Sequence, residues 1–205
     1  MKSIIYIALF FSGISSIFAE SPKKSNPSPL SFEIHQQNFK FSTIFEMHSD
    51  KGFIGSVSKS TLRVRTNYDL YDSKGNYEGV AICRILTLGS IYSWAREMDI
   101  YDQNKMYVGL IDGQAATAAG AKFSIYNAEG TCVGIAYLDL NKSSYTIVDP
   151  KNDRHHLASF KRNFIKDTVD HWDVAVYDKD CIDIRIIKIF AAFAVDTQND
   201  FKKDK

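Results

Sequence analysis

Polar side chains that could bind an ion are concentrated in two segments of the C-terminal half. The first, DPKNDRHH, places His155 and His156 beside Asp149 and Asp153. A zinc site needs such ligands to converge on one centre. Adjacent residues of a β-strand point to opposite faces, so the two histidines cannot easily share an ion. We interpret this segment as a polar hairpin turn.

The second segment, DKDCID, contains Asp178, Asp180 and Asp183, which superficially resemble a calcium loop. It lacks the glycine and the terminal glutamate that give such loops their geometry. A solvated turn explains these residues better. We therefore expect neither a metal site nor a cofactor.

Catalytic motifs are absent from the sequence. It contains no GxSxG elbow, HExxH pair, P-loop or dinucleotide fingerprint. Cys83, Cys132 and Cys181 form no CxxC pair, and their odd number allows one disulfide with a free thiol or three thiols. These features favour a protein that is not an enzyme.

The densest basic segment is FKRNFIKD, in which Lys161, Arg162 and Lys166 are interleaved with Phe160 and Phe164. Cations beside exposed aromatic rings bind lipid headgroups at a membrane interface, so the three basic residues are candidate lipid ligands. The alternative is an ordinary strand or loop with charged residues outward and phenylalanines inward.

The net charge of the chain excludes one class of partner. The sequence has 25 basic and 24 acidic residues, a formal charge of +1. No strong positive field is available to attract nucleic acid at long range. We expect no nucleic-acid partner.

An internal repeat predicts the elements that carry these residues. The segment YDLYDSKGNYEG recurs in altered form along the chain, as MDIYDQNKMYVG, FSIYNAEGTCVG, YTIVDPKNDRHH, a fainter FEMHSDKGFIG and a last WDVAVYDKDCID. Each copy has two arms of alternating hydrophobicity around a turn rich in Asp, Asn and Gly. This pattern is typical of β-hairpins.

Six hairpins predict a sheet of about twelve strands, which must close because open edges invite aggregation. A barrel of this size encloses more space than its own side chains fill. Something else must occupy the interior.

The C-terminal stretch supplies that element. Ile182–Arg185 is predicted to finish the last hairpin, and a helix is predicted from Ile186 to about Gln198, with Asp196 at its exit to solvent. A helix that is apolar on every face is buried. This one is too short for a bilayer span and carries Lys188, so the protein core is favoured. The predicted fold is mainly β, a closed antiparallel barrel around a central C-terminal hydrophobic α-helix.

The N-terminus has the pattern of an export signal. Residues 1–19 combine Lys2, an apolar run and small residues before a cleavage point after Ala19. Residues 20–30 are a Pro-rich flexible linker, residues 31–201 the barrel domain and residues 202–205 a polar tail. We expect export to the periplasm or secretion.

Hairpins with Asp/Asn-Gly turns, closed by IRIIKIFAAFAVDTQNDF, resemble the tubby C-terminal-like superfamily, which includes the tubby proteins, the phospholipid scramblases and the LURP-one-related proteins. The resemblance covers about residues 32–201 and is strongest at residues 183–201. It implies a twelve-stranded barrel around a central hydrophobic helix.

Two features depart from this family. The cysteines stand alone, whereas scramblases have a cysteine-dense palmitoylation stretch, and no basic cluster aligns with the phosphoinositide ligands of tubby proteins. The fold is thus better supported than any activity. The functional hypothesis is a non-enzymatic exported binding protein that engages lipid or a membrane surface through one barrel face. The alternative is a structural or host-interaction module that contacts another protein through its loops.

Overall fold

The structure, a computed structural model, describes residues 29–60, 62–85, 87, 95–117, 120–139, 144–163 and 171–203. The predicted signal peptide, most of the linker and the last two residues of the polar tail lie outside them. The described residues form twelve β-strands and one α-helix: β1 Leu30–Asn38, β2 Ser42–Ser49, β3 Gly52–Ser60, β4 Asn67–Asp72, β5 Tyr77–Cys83, β6 Glu97–Asp102, β7 Tyr107–Thr117, β8 Gly120–Asn127, β9 Cys132–Asp139, β10 Ser144–Asp149, β11 Asn152–Asn163, β12 His171–Val176 and α1 Ile184–Lys203.

The strands form a closed antiparallel barrel in which each strand pairs with its neighbours in sequence. Strand β12 returns to β1, and its register runs from Leu30 opposite Val176 to His35 opposite His171. Closure leaves the sheet without an exposed edge. The predicted fold class is confirmed.

Tight turns join five of the predicted hairpins for the reason that the repeat indicated. In β4–β5, the Asp72 carboxylate accepts hydrogen bonds from the backbone N–H groups of Lys74 and Asn76, each at 2.8 Å. Gly75 follows with a φ of 81°, which residues with a side chain rarely adopt. Asp102 accepts the equivalent bonds in the β6–β7 turn.

The sixth predicted hairpin is wrong. Strand β12 ends at Val176, and Ile182 to Arg185 form no strand because α1 already begins at Ile184. The reason is Asp183, whose side chain caps the helix by accepting the Arg185 backbone N–H at 2.9 Å. The twelfth strand is β1, which precedes the first copy of the repeat.

Helix α1 fills the barrel, as predicted. Its residues from Ile186 to Val195 are at most 3% exposed, apart from Lys188. The Phe190 ring packs on Phe123, Tyr145 and Phe160, with centroids 5.4–5.6 Å apart. These rings come from β8, β10 and β11, while Tyr68 of β4 packs on Phe193 at 6.3 Å. The helix thus touches strands from well-separated parts of the barrel.

Two charged residues of α1, Asp196 and Lys188, pair with residues of the strands. Asp196, predicted at the exit to solvent, is 5% exposed. Its carboxylate accepts hydrogen bonds from the Lys59 Nζ at 2.7 Å and the Tyr68 hydroxyl at 2.7 Å. The Lys188 Nζ donates to Glu78 at 3.1 Å. A buried charge that lost such a partner would be strongly destabilising, so these pairs fix the helix along the barrel axis.

The three cysteines are free thiols, with Cys83 buried and Cys181 exposed. Burial raises the pKa of the Cys83 thiol to about 11. In the part of the chain that the structure describes, no helix combines the length and the apolarity needed to cross a membrane.

Candidate functional site

The antiparallel connectivity gives the barrel two different ends. The tight turns β2–β3, β4–β5, β6–β7, β8–β9 and β10–β11 lie together at one end, which we call the turn end. The strand ends joined by the other strand-to-strand connections lie at the opposite end, the loop end, whereas the β12–α1 connection lies at the turn end. Helix α1 begins near the turn end, where Lys188 meets Glu78, and reaches the loop end, where Asp196 meets Lys59.

The β1–β2 connection exposes apolar rings at the loop end. Phe39 and Phe41 are 54% and 53% exposed. Between them, the Lys40 Nζ lies 5.2 Å from the centroid of the Phe41 ring. This cation–π contact holds the Lys40 charge beside the exposed Phe41 ring.

The β3–β4 connection repeats this combination with aliphatic residues. Leu62 is 73% exposed and Val64 is 99% exposed, and they alternate with Arg63 and Arg65. Arg63 donates to the buried Asp69 carboxylate at 3.0 Å, which ties the connection to β4. Exposure of such large aliphatic side chains to water is unfavourable. It indicates a surface that contacts a partner when the protein functions.

The turn end has a different surface. Its exposed large side chains are mostly tyrosines, with Tyr77 packed on Tyr71 at 5.9 Å and Tyr107 on Tyr101 at 5.7 Å. Their hydroxyl groups remain compatible with water. Met106 and Phe53, which are 65% and 40% exposed, are exceptions. Among the described residues, segments in which two exposed apolar side chains alternate with cations therefore distinguish the loop end.

The predicted lipid-binding residues do not form one surface in the described part of the chain. Lys161 is exposed on the outside of β11, whereas Arg162 is only 3% exposed and takes the same side as the buried Phe160. Burial lowers the pKa of Arg162. Lys166 lies outside the described residues. Lys161 lines an open groove of about 540 Å³ that also contains Glu33 and Asp173.

The histidine pair lies beside the β10–β11 turn. His155 and His156 are consecutive residues of β11 and both are exposed. The two imidazole nitrogens of His155 lie 3.5 Å from Asp149 and 3.8 Å from Asp178, on different sides of the ring. This is a polar arrangement around a turn rather than a convergent set of ligands.

A second set of histidines, which the sequence analysis missed, lies on the outer face of β2, β1 and β12. In register, Glu33 is opposite both His48 and Asp173, and His35 is opposite both Glu46 and His171. The His35 ring is 5.4 Å from that of His171 and 5.7 Å from that of His48. The signal was the acid-x-His spacing of EIH and EMH, and its reverse in HWD, which puts both polar groups on one strand face.

The comparisons with known proteins give no family. No protein-family model matches the chain, and no curated protein matches it significantly.

Proposed function

We propose that the protein is a non-enzymatic binding protein that attaches peripherally to a membrane surface through the loop end of the barrel. The observation that carries this proposal is the alternation of exposed apolar side chains with cations at that end: Phe39, Lys40, Phe41, Leu62, Arg63, Val64 and Arg65. Apolar tips of this kind insert into the headgroup region, and the cations beside them attract anionic lipid.

Two further considerations support this proposal. Helix α1 fills the barrel, so a ligand is better placed on the outside than enclosed within it. The resemblance to the tubby C-terminal-like superfamily, which includes lipid-binding proteins, points to the same class of ligand. Lys161, two residues before the end of β11, and Lys166 in the connection that follows it remain candidate contributors. Export by residues 1–19 is part of the proposal.

Flotation of the full chain with liposomes tests the proposal. We expect binding to vesicles that contain anionic lipid, with weaker binding as salt rises, because exposed charges are screened within about 10 Å at 0.1 M salt. Each cation near an anionic surface contributes about 1 kcal/mol. Lys40→Glu with Arg65→Glu should therefore weaken vesicle binding by at least ~30-fold.

A matched control separates the loop end from overall charge and from residues 1–28, which every variant retains. Lys74→Glu with Lys151→Glu makes the same charge change at the turn end, where both lysines are exposed. We expect it to bind vesicles nearly as well as the original chain. Equal loss in both variants would contradict a localised surface. Indifference of the original chain to all vesicles at low salt would remove the membrane proposal and leave the structural or host-interaction role.

A further inference from the structure

The outer face of β1 and β12 brings acidic and imidazole groups together at the seam where the barrel closes. The ligand atoms of Glu33, His171 and Asp173 all lie within 4.8 Å of one another. Four ligands bound tetrahedrally to zinc at about 2.0–2.2 Å are about 3.3–3.6 Å apart. Side-chain movements of about an ångström would therefore bring the three groups within bonding distance of one ion.

His35 lies beside this group. Its Nε2 lies 3.3 Å from the Glu33 carboxylate, and its ring stacks on that of His171 across the strands. Glu46 lies directly cross-strand from His35 on the same face. A metal-bound imidazole usually donates its other N–H to a carboxylate of this kind, which fixes the ring.

We propose that Glu33, His35, His171 and Asp173 bind one divalent transition-metal ion of the zinc class. Two imidazoles and two carboxylates suit zinc or copper, whereas calcium takes oxygen ligands alone. This site goes beyond the proposed membrane attachment and shares no residue with it.

The fold keeps these side chains on one face of the sheet before any ion arrives. Ile34 and Trp172, the residues between the ligands of each strand, are each 1% exposed and anchored in the core. They force their polar neighbours to the outer face on both strands. The His171 side chain is 12% exposed and that of Asp173 is 49% exposed, so an ion bound between them would be shielded from water on the His171 side.

Titration of the untagged full chain with zinc, followed by competition with a chromophoric chelator, tests the site. We expect one zinc ion per chain and, with cobalt, the intense visible absorption of tetrahedral coordination. His171→Ala, and separately Glu33→Gln with Asp173→Asn, should each weaken zinc binding at least ~10-fold, since even outer partners of metal ligands contribute 10- to 100-fold. The Gln and Asn variants keep the side-chain size, and circular dichroism checks that each variant is folded.

His155→Ala is the matched control, because His155 also lies near two carboxylates that do not converge with it on one point. It should leave zinc binding unchanged. Absence of zinc binding would overturn the site, as would binding that survives both ligand variants or is lost in His155→Ala. Vesicle flotation of the ligand variants should be normal, so failure of this site and failure of the membrane proposal are distinguishable.

Discussion

Asp183 determines where the buried helix begins. Its Oδ1 accepts the Arg185 backbone N–H at 2.9 Å, and its Oδ2 accepts the Arg185 guanidinium at 2.6 Å. Its backbone carbonyl accepts the N–H of Ile186 at 3.0 Å. Burial alone would raise the pKa of the Asp183 carboxyl, but the hydrogen bonds and charge of Arg185 outweigh it and lower the pKa below its usual range.

Removal of this cap should destabilise the protein in a pH-dependent way. We expect Asp183→Ala to lower the free energy of unfolding by about 1 kcal/mol at pH 7. Between the lowered folded pKa and the unfolded pKa, the folded protein binds fewer protons than the unfolded chain, so the carboxylate stabilises the fold above that range. This contribution is lost as the pH falls through the folded pKa. Urea denaturation at pH 7 and pH 3 should show the difference between the two proteins shrinking at pH 3, and a constant difference would contradict the assignment.

The basic run around Arg162 does not form one surface patch. The run Phe160-Lys161-Arg162 predicts a surface patch if charge alone is considered. Since strand side chains alternate, Arg162 takes the inward side with Phe160, and only Lys161 remains outside. The alternation was visible in the sequence, whereas the burial of a cation depends on the surrounding core and was not.

At the scale of the element, the repeat encodes both turns and close packing. The copies ending YEG and YVG place Gly79 and Gly109 on the inner side of the second arm. A Cβ at Gly79 would lie 2.4 Å from the Tyr101 carbonyl oxygen, and one at Gly109 would lie 2.2 Å from that of Tyr126. The sequence therefore predicted the hairpins, while the reason for these glycines lies in neighbouring strands of the closed barrel.

The helix could be predicted because it has no polar face. A charge placed within it should prevent folding. Ala192 is 0% exposed. Ala192→Asp buries an unpaired carboxylate at a cost of several kcal/mol. This cost is comparable to the whole free energy of unfolding of an ordinary domain. We expect no soluble protein with a cooperative thermal transition.

Ala128 provides the matched control for this substitution. It lies exposed in the β8–β9 turn, so Ala128→Asp should change the free energy of unfolding by less than about 0.5 kcal/mol. A cooperatively melting Ala192→Asp protein would show that the helix is not enclosed.

At the scale of the whole molecule, the proposed metal site exists only because the barrel closes. His35 and His171 come from opposite ends of the domain and meet at the β1–β12 pairing. Local patterns predict strands and turns, but the identity of the strands at the seam depends on the strand count. The sequence pattern predicts the twelfth strand at Ile182–Arg185 rather than at β1, so these histidines are not expected to meet. The loop-end surface was missed for a similar reason, since connections distant in sequence share one end of the barrel.

A disulfide across the seam tests closure directly. Ser31 and Ala175 are directly opposite on β1 and β12. Opposite residues have Cβ atoms about 4.5–5.5 Å apart, close to what a disulfide needs. We expect Ser31→Cys with Ala175→Cys, in a Cys181→Ser background, to form an intramolecular bond under mild oxidation. Because that bond closes a loop spanning most of the barrel, it should raise the free energy of unfolding by about 2–4 kcal/mol.

Peptide mapping and urea denaturation, with and without reductant, measure this effect. Ser31→Cys with Ala128→Cys is the control: β8 and β9 are far from β1 in the strand order, so this pair should remain reduced in the folded protein. A seam pair that stays reduced, or that crosslinks no faster than the control pair, would mean that β1 and β12 are not paired. The proposed metal site would then lose its basis, because two of its four ligands lie on each of these strands.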